Sequence, residues 1–473
     1  MSSAWRVLDG PARAGEGRGQ GRSGTGQPPH PAGRPRVGAT GRGHALRALG
    51  TGAAVVVLAG ALLAAGSAFG GAQPDAPAAP PVVAVAAGTG VTALQEQLRR
   101  VPANDRAWAQ LGAAYVQQAR TTADPGLYGQ AEGAFAESLR LHPEGNDLAL
   151  TGQASLAAAQ HEFARAVELA DAALAVNPYA AGALAVKVDG LVELGRYERS
   201  RATLERLLRL RPGVDAFARA SYARELRGDV DGARLALERA AQVASVPADK
   251  AFAQHYLGEL AWHEGDLDRA SAAYDHALAT DPSFVPALAG RAKVAASRGD
   301  VDRAVADYRT AVGRQPQPGT LLELGELLEA TGRPDQAQQQ YAVVRATQQL
   351  FAESGQVVDA ELALFEADHG DADLAVELAR KAHAAGPDSI IVQDAYAWAL
   401  HAAGQDRQAL PLVRAAARTG LRSAAFAYHR GVIEAAVGNE DAARTALERA
   451  LSLNPTFSPL HAPRARALLA ELS

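Results

Sequence analysis

The sequence predicts an all-α protein whose main body is a superhelical solenoid of about ten helix–turn–helix units. Glycines recur at intervals of 33 to 38 residues between Gly195 and Gly438, and a small residue follows each of them by five positions. Hydrophobic residues make up 48% of the chain but aromatic residues only 5%, so the apolar content is mostly Ala, Leu and Val, which suit closely packed helices. A period of this length is typical of repeat proteins in which each unit packs on its neighbours.

Residues 1–47 are expected to form a disordered cytoplasmic tail. They are rich in Arg, Gly and Pro and contain hardly any large apolar residue, so they cannot bury enough surface to offset the entropy lost on folding. The favoured interpretation is that their positive charge sets the orientation of the chain in a membrane. The alternative is that this basic tail binds acidic partners or nucleic acid.

Residues 48–70 are predicted to form a transmembrane helix or signal anchor. The run is uncharged and long enough to cross about 30 Å of hydrocarbon as a helix. Four arginines between residues 34 and 47 precede it, whereas no Lys or Arg follows until Arg99, which predicts an N-terminus in the cytoplasm and repeats outside it. The alternative is a signal peptide that is cleaved near Gly70–Ala72, which would leave a secreted protein.

Residues 71–90, rich in Ala, Pro and Gly, are predicted to be a linker, and the solenoid is expected to occupy residues 91–473. The unit at residues 251–282 shows the repeat most clearly. Gly265 stands where the first helix must end in a left-handed backbone, and Pro282 closes the second helix. After the last unit, the C-terminal stretch is predicted to be a helix that caps the exposed end of the array.

The order of residues in this unit resembles that of the tetratricopeptide repeat (TPR) family. The family spacing places Leu–Gly, Ala, an aromatic residue, Ala and Pro in order over 34 residues. The corresponding residues here are Leu257, Gly258, Ala270, Tyr274, Ala277 and Pro282. The other units match more loosely but in register. The resemblance implies a right-handed superhelix, and together with the apolar run it is similar in layout to membrane-anchored bacterial TPR proteins.

No catalytic, cofactor-binding or metal-binding residues are predicted, and the chain is not expected to be an enzyme. It contains no cysteine, no Gly-rich nucleotide loop and no zinc-protease motif. The acidic stretches at residues 368–373 and 228–232 fall in turns between helices and are interpreted as solvated turn residues. After residue 50 the chain carries 39 basic and 50 acidic residues, so the repeats are not expected to bind nucleic acid.

The TPR resemblance also implies a concave groove that is lined by the first helix of every unit. Aromatic and ionisable side chains at the inner positions are typical of a peptide-binding surface. The tentative peptide-binding residues are Phe252, His255, Glu259, Trp262, Lys293, Asp394, Trp398 and His401. The alternative is that Trp262 and Trp398 only fill gaps between stacked hairpins. A Glu259→Lys substitution is expected to reverse the local charge while leaving the packing nearly intact.

The leading functional hypothesis is a membrane-tethered scaffold for protein–protein interaction. It would bind a partner peptide or helix in the groove, in envelope, pilus or cytochrome assembly, and it would contact the membrane through residues 48–70. The alternative is a regulatory receptor whose basic N-terminal tail binds acidic partners or nucleic acid in the cytoplasm. Chaperone-binding members of the family hold a terminal carboxylate with groove Asn, Lys and Arg, and all five Asn here fall outside the predicted groove.

Overall fold

Ten helical hairpins follow one another in the computed structural model, which describes residues 89–122, 124–353 and 360–473; this part contains twenty-two α-helices and no strand. The first helix, α1 (Thr89–Arg100), precedes hairpin 1. The first helices of hairpins 1 to 10 are α2 (Asp105–Thr122), α4 (Asp147–Ala159), α6 (Ala181–Glu193), α8 (Val214–Glu225), α10 (Pro247–His263), α12 (Val285–Ser297), α14 (Pro318–Ala330), α16 (Ala360–His369), α18 (Ile390–Ala402) and α20 (Ala424–Ala436).

The second helices of hairpins 1 to 10, in the same order, are α3 (Leu127–Leu141), α5 (Phe163–Val176), α7 (Tyr197–Leu210), α9 (Val230–Val243), α11 (Leu267–Thr280), α13 (Val301–Arg314), α15 (Pro334–Glu353), α17 (Ala372–Ala385), α19 (Asp406–Ala416) and α21 (Glu440–Leu453). A short 3₁₀ helix, Ala417–Thr419, follows α19. The expected capping helix is α22 (His461–Glu471), which packs against α20 and α21. The predicted array of about ten stacked hairpins is therefore confirmed.

The N-terminal predictions lie outside the described residues. These are the tail at 1–47, the apolar segment at 48–70 and nearly all of the linker at 71–90. Helix α1 begins at Thr89, two residues before the expected start of the solenoid. Among the described helices, none combines the length and the apolar composition needed to cross a membrane.

A glycine ends the first helix of most hairpins because the backbone must turn there through a left-handed conformation. At Gly265 φ is +74°, and the Gly265 N–H donates a hydrogen bond to the Trp262 carbonyl at 2.9 Å. Asp266 then caps α11, since its carboxylate accepts a hydrogen bond from the Arg269 N–H at 3.0 Å. Of the recurring glycines, Gly370 departs from this pattern because its φ is not positive.

Neighbouring hairpins interlock through an aromatic ring that lies over two glycines. A Cβ added at Gly258 would lie 2.5 Å from the Tyr274 ring, and one added at Gly290 of the next hairpin would lie 2.3 Å from it. Tyr274 itself is fully buried, as are Ala270 and Ala277 on the same helix. The absence of a side chain at Gly258 and at Gly290 thus lets one ring pack against the first helices of two successive hairpins.

The first helices form the inner, concave layer of the array. Along most of its length they pack against the first helix of the next hairpin, as α2 does against α4 and α10 against α12. The second helices lie outside them and pack mainly on their own hairpin and on the start of the next. Side chains that point away from the second helices therefore meet on the concave side.

The curvature is tight enough to bring hairpins 8 to 10 back onto hairpins 3 to 5. Three polar contacts join the two parts, between residues that are 158 to 193 positions apart in sequence. They are Tyr197 with Ile390 at 2.9 Å, Glu264 with Arg422 at 2.8 Å, and Trp262 with Asn454 at 2.7 Å. We call this region the closure contact. Each hairpin still contacts mainly its neighbours, as expected, and the closure contact is an addition to that pattern.

Candidate partner-binding surface

Four of the predicted groove residues meet on the concave side of hairpins 5 and 6. The Lys293 ammonium on α12 donates a hydrogen bond to Glu259 Oε2 on α10 at 2.7 Å. The same ammonium lies 4.5 Å from the centre of the Trp262 ring, close enough for a cation–π interaction. His255 lies one turn before Glu259 on α10 and is buried. The inner positions that the repeat spacing identifies in these two units are therefore in contact.

Two further carboxylates belong to this site, although the sequence did not single them out. Glu323 on α14 lies 3.7 Å from the Lys293 ammonium. Glu225, at the end of α8, is near enough to Glu259 for the two carboxylates to repel each other. Glu225 lies eight positions before Ala233, the small residue of the following helix, just as Trp262 lies eight positions before Ala270. A comparison of this inner position across the units would therefore have identified Glu225. We call Glu225, His255, Glu259, Trp262, Lys293 and Glu323 the Lys293 cluster.

The Lys293 cluster holds more acidic than basic groups. Burial alone would raise the pKa of Glu259, but the attraction of Lys293 and of the neighbouring histidines lowers it to about 2. Burial raises the pKa of Glu225 to about 7 and that of Glu323 to about 7, the latter against the attraction of Lys293. Burial also lowers the pKa of His255 to about 4, so that this imidazole is neutral at pH 7. Two carboxyl groups, those of Glu259 and Glu323, therefore share one ammonium, and a third, that of Glu225, lies near Glu259.

Glu259 is also held by a hydroxyl group, which bears on the substitution considered from the sequence. The Tyr274 hydroxyl donates a hydrogen bond to Glu259 Oε1 at 2.6 Å. A lysine at this position would lose that bond and would place a second ammonium beside Lys293. The expectation that Glu259→Lys leaves the packing nearly intact is therefore wrong, because the side chain bonds both neighbouring helices.

Access to the Lys293 cluster differs among its members. The Glu323 side chain is 26% exposed, whereas Lys293 and Glu259 are 14% and 16% exposed. Trp262 is half-buried, and its indole N–H donates to the Ser297 hydroxyl at 3.3 Å. The cluster is thus reached from the concave side through Glu323 and Trp262.

The predicted groove residues of hairpin 9 form a separate, internal group. Trp398 is buried; its ring stacks on His429 with 4.2 Å between ring centres, and its indole N–H donates to Asp368 at 2.9 Å. Asp394 is buried as well and pairs with His429 at 2.8 Å. For Trp398 the structure matches the alternative in which the ring fills a gap between hairpins, since both of its neighbours come from adjacent units.

His401 and Phe252 stand apart from both groups. The His401 ring bonds Asp406 at 2.5 Å across the turn of its own hairpin, near the rim of the array. Phe252 is half-buried at the edge of the apolar cluster that contains Tyr222 and Ile390, at the closure contact. The chain itself therefore occupies part of the surface around this predicted groove residue.

The acidic turn at residues 368–373 is only partly the solvated segment that the sequence predicted. Asp371 caps α17 in the expected way, with hydrogen bonds from the Asp373 and Leu374 N–H groups. In contrast, the His369 side chain is 4% exposed, and its ring stacks on Tyr341 with 4.3 Å between ring centres. The solvated interpretation is wrong for His369, because α16 ends with this ring against the preceding hairpin. In the described part of the chain, no three acidic or histidine side chains are placed to hold a metal ion.

Models of the tetratricopeptide repeat match residues 185–250, 255–319, 290–351 and 424–457. These ranges fall on hairpins 3 to 7 and hairpin 10, whose paired helices, turn glycines and interlocking rings are described above. The chain contains tetratricopeptide repeats. No curated protein matches it with significant sequence similarity.

Several solved structures are similar to parts of this TPR array. A tetratricopeptide repeat protein from Parabacteroides merdae is 18% identical, with 55% of this chain and 98% of that chain covered and a TM-score of 0.32. PilW, a type IV pilus biogenesis factor, is 18% identical over 45% of this chain and 97% of its own, with a TM-score of 0.36. YrrB, a TPR protein with an unusual peptide-binding site, is 21% identical over 39% of this chain and 93% of its own, with a TM-score of 0.27. Because these TM-scores are low, the assignment of the repeats rests on the family models and on the hairpin geometry.

Within the TPR array, the Lys293 cluster is the group of predicted groove residues that combines ionisable side chains with access from the concave side. The hairpin 9 residues Asp394 and Trp398 are closed off by their neighbours, and Phe252 packs at the edge of the closure contact. The cluster draws its side chains from four consecutive hairpins, 4 to 7, so its geometry depends on how the hairpins stack.

Proposed function

We propose that this protein is a scaffold that binds a segment of a partner protein on the concave surface at the Lys293 cluster. The observation that carries the proposal is the contact of Lys293 with the Trp262 ring and Glu259, next to the more exposed Glu323. An aromatic face beside partly desolvated charges is the kind of surface that anchors a peptide. TPR arrays are typically non-catalytic scaffolds for protein interaction, which agrees with this reading.

The charge balance favours a partner segment that carries Lys or Arg. Glu259 and Glu323 lie beside one ammonium, Glu225 lies near Glu259, and His255 adds no positive charge at pH 7. A cation from the partner would stabilise the ionised forms of Glu225 and Glu323, whose pKa values are raised to about 7 in the free protein. Binding of the cation would therefore offset part of the free energy that burying these carboxylates costs. Binding would also weaken as the salt concentration rises, because salt screens the charges.

The proposal includes a membrane tether. The apolar run at residues 48–70, with four arginines before it and none until Arg99 after it, supports a helix that holds the array on the outer side of a membrane. The array would then bind its partner close to the lipid surface. This part of the proposal rests on the sequence alone, and its test is independent of the groove.

The test replaces one of two alanines of hairpin 6 by a photoreactive amino acid, which forms a covalent crosslink with a protein bound next to it. Ala296 lies near the end of α12, on the helix that carries Lys293, whereas Ala306 is exposed on the outer helix α13. We expect the photoreactive residue to form covalent adducts with the partner when it replaces Ala296, and few adducts when it replaces Ala306. Adducts that form equally from both positions, or mainly from Ala306, would place the partner on another surface.

Affinity measurements with the crosslinked partner then test the chemistry. Glu323→Gln keeps the shape of the side chain and removes its charge, so we expect binding to weaken by about 1.5 kcal/mol, as for loss of one charge-assisted hydrogen bond. Glu238→Gln, on the outer helix α9, is the matched control and should leave the affinity unchanged. An unaltered affinity for Glu323→Gln at low salt would contradict recognition of a cationic group.

A further inference from the structure

The closure contact joins three turns of hairpins 3 to 5 with three loops of hairpins 8 to 10. The turn at Gly195 meets Asp388, the turn at Gly228 meets the Gly420 carbonyl, and the turn at Gly265 meets the Leu453 carbonyl. The same edge of three successive hairpins therefore faces one continuous edge of the later hairpins. This regular pairing shows that the contact follows from the superhelical geometry and not from a single stray loop.

Glycine is required at these three turns for two separate reasons. Each has a left-handed backbone, with φ of +71°, +73° and +74°, as do other turn glycines of the array. In addition, a Cβ would lie 2.0 Å from Asp388 C at Gly195, 2.5 Å from the Gly420 oxygen at Gly228, and 2.9 Å from the Leu453 oxygen at Gly265. The turn glycines Gly299, Gly332, Gly404 and Gly438 share the left-handed backbone, but no described atom lies within 4 Å of a Cβ built there. Only the first set is constrained by the closure contact.

The contact covers apolar surface at the rim of the concave side. Val192 and Tyr222 of hairpins 3 and 4 are buried in one cluster with Ile390, and Phe252 and Phe426 pack against it. Phe252 begins the inner face of α10, the helix that carries Glu259 and Trp262. A partner segment that enters the concave side along α10 would therefore meet this cluster beside Phe252.

The polar contacts that hold the two edges together are few and half-exposed. The Arg422 and Glu264 side chains are 41% and 25% exposed, so solvent weakens their attraction. Two single hydrogen bonds run from the Ile390 N–H to the Tyr197 hydroxyl and from the Asn454 amide to the Trp262 carbonyl, and the Arg418 guanidinium lies 5.8 Å from the centre of the Tyr197 ring. Contacts of this kind can separate without unfolding any hairpin, because the two largest cores between successive hairpins contain no residue from the opposite edge.

We propose that the closure contact is a reversible autoinhibitory latch. Closed, it packs beside the half-buried Phe252 and narrows the approach to the Lys293 cluster; open, it frees this rim for the partner segment. That the partner binds the surface behind this latch rests on the proposed function. The opening and closing of the latch is a property of the chain alone. A partner that binds only the open form would shift the array towards it.

A single cysteine reports on the latch, since the chain contains none of its own. Ser389 is buried at the closure contact, next to Gly195, and Ser389→Cys changes little in size. The rate at which maleimide modifies this thiol in the full chain measures how often the contact opens. Every variant below is compared in the Ser389→Cys background.

The decisive comparison is between two glycine substitutions. Gly228→Ala and Gly404→Ala impose the same left-handed strain, with φ of +73° and +71°, but only the first places a methyl group against the opposite edge. We expect Gly228→Ala to raise the modification rate by about tenfold or more over Gly404→Ala, together with a larger radius of gyration in solution scattering. Equal rates and equal radii for the two variants would overturn the latch.

A charge-reversal pair distinguishes opening of the closure contact from misfolding of the chain. Arg422→Glu places two carboxylates side by side at the half-exposed Glu264 position, so it should raise the modification rate several-fold with unchanged helical circular dichroism. Adding Glu264→Arg restores opposite charges, and the rate should return to that of the parent. Failure of the second change to restore the rate would contradict the proposal. These readouts need no partner, so their failure is distinct from the failure of the adduct pattern at Ala296 and Ala306.

Discussion

Replacing Glu225 by Gln should stabilise the protein at alkaline pH and have little effect at acidic pH. Glu225 is buried at the end of α8, and its carboxylate accepts one hydrogen bond, from the Ser221 hydroxyl at 3.2 Å. Burial raises its pKa from 4.5 to about 7, against the small opposing effect of Ser221 and with added repulsion from Glu259. The ionised form is therefore tolerated in the fold at a cost in free energy.

The size and sign of this cost follow from the linkage between protonation and folding. A carboxyl group whose pKa is higher in the folded chain than in the unfolded chain stabilises the fold when protonated, and that stability is lost as the pH rises from 4.5 through 7. At about 1.4 kcal/mol per pH unit, the rise to about 7 corresponds to about 3 kcal/mol at pH 8. Glu225→Gln removes the charge and keeps the shape, so we expect a gain of about 2–3 kcal/mol at pH 8 and a gain near zero at pH 5.

Urea unfolding of the parent and of the variant, followed by circular dichroism at pH 5 and pH 8, measures the difference. The control is Glu238→Gln on the outer helix α9, where the side chain is 48% exposed and the change should stay within about 0.5 kcal/mol at both pH values. The reasoning would be refuted if Glu225→Gln destabilised the fold at pH 8, or if its effect were the same at pH 5 and at pH 8.

Two further predictions concern the packing of the array and its topology. Gly152→Ala would place a Cβ 2.1 Å from the Phe135 ring and should lower stability by about 1–3 kcal/mol, whereas Gly133→Ala on α3, with no described atom within 4 Å, should not; thermal unfolding compares them. Protease added to intact spheroplasts should degrade residues 91–473 and spare the tail at 1–47, as the arginines before the apolar run predict; repeats that stay protected until the membrane is lysed would contradict this topology.

The sequence predicted the parts of the fold that depend on local spacing. The interval between Gly265 and Ala270 fixes a turn and the start of a packed helix, and Gly258, Ala270 and Tyr274 follow the order of residues in the repeat. These features need only residues within one unit or the next. For the same reason, the contact between Glu259 and Lys293 followed from equivalent inner positions in adjacent units.

The features that the sequence did not predict depend on how much each hairpin rotates relative to the last. The contact of Tyr197 with Ile390 spans 193 residues and about half of the array, so a small change per unit would separate the two edges. No pattern of residues within one or two hairpins determines the rotation that accumulates over the array. The burial of Trp398 is a related case: its inner position was correctly placed, but Asp368 and His429 from the adjacent hairpins close over it.

The raised pKa of Glu225 indicates that the Lys293 cluster lowers the stability of the array at neutral pH and above, and the polar pairs of the closure contact add little to it. Ionisable carboxyl groups such as Glu225 would be replaced at a gain by neutral side chains, and half-exposed pairs such as Glu264 with Arg422 add little free energy. Structural roles alone do not require either feature, since hairpins held by rings such as Tyr274 stack without them. Binding of a cationic segment gives both a common reason, because it would neutralise the carboxylates and require an edge that can open. If Glu225→Gln stabilises the chain and also weakens partner binding, then the Glu225 carboxylate lowers the stability of the fold but is needed to bind the partner.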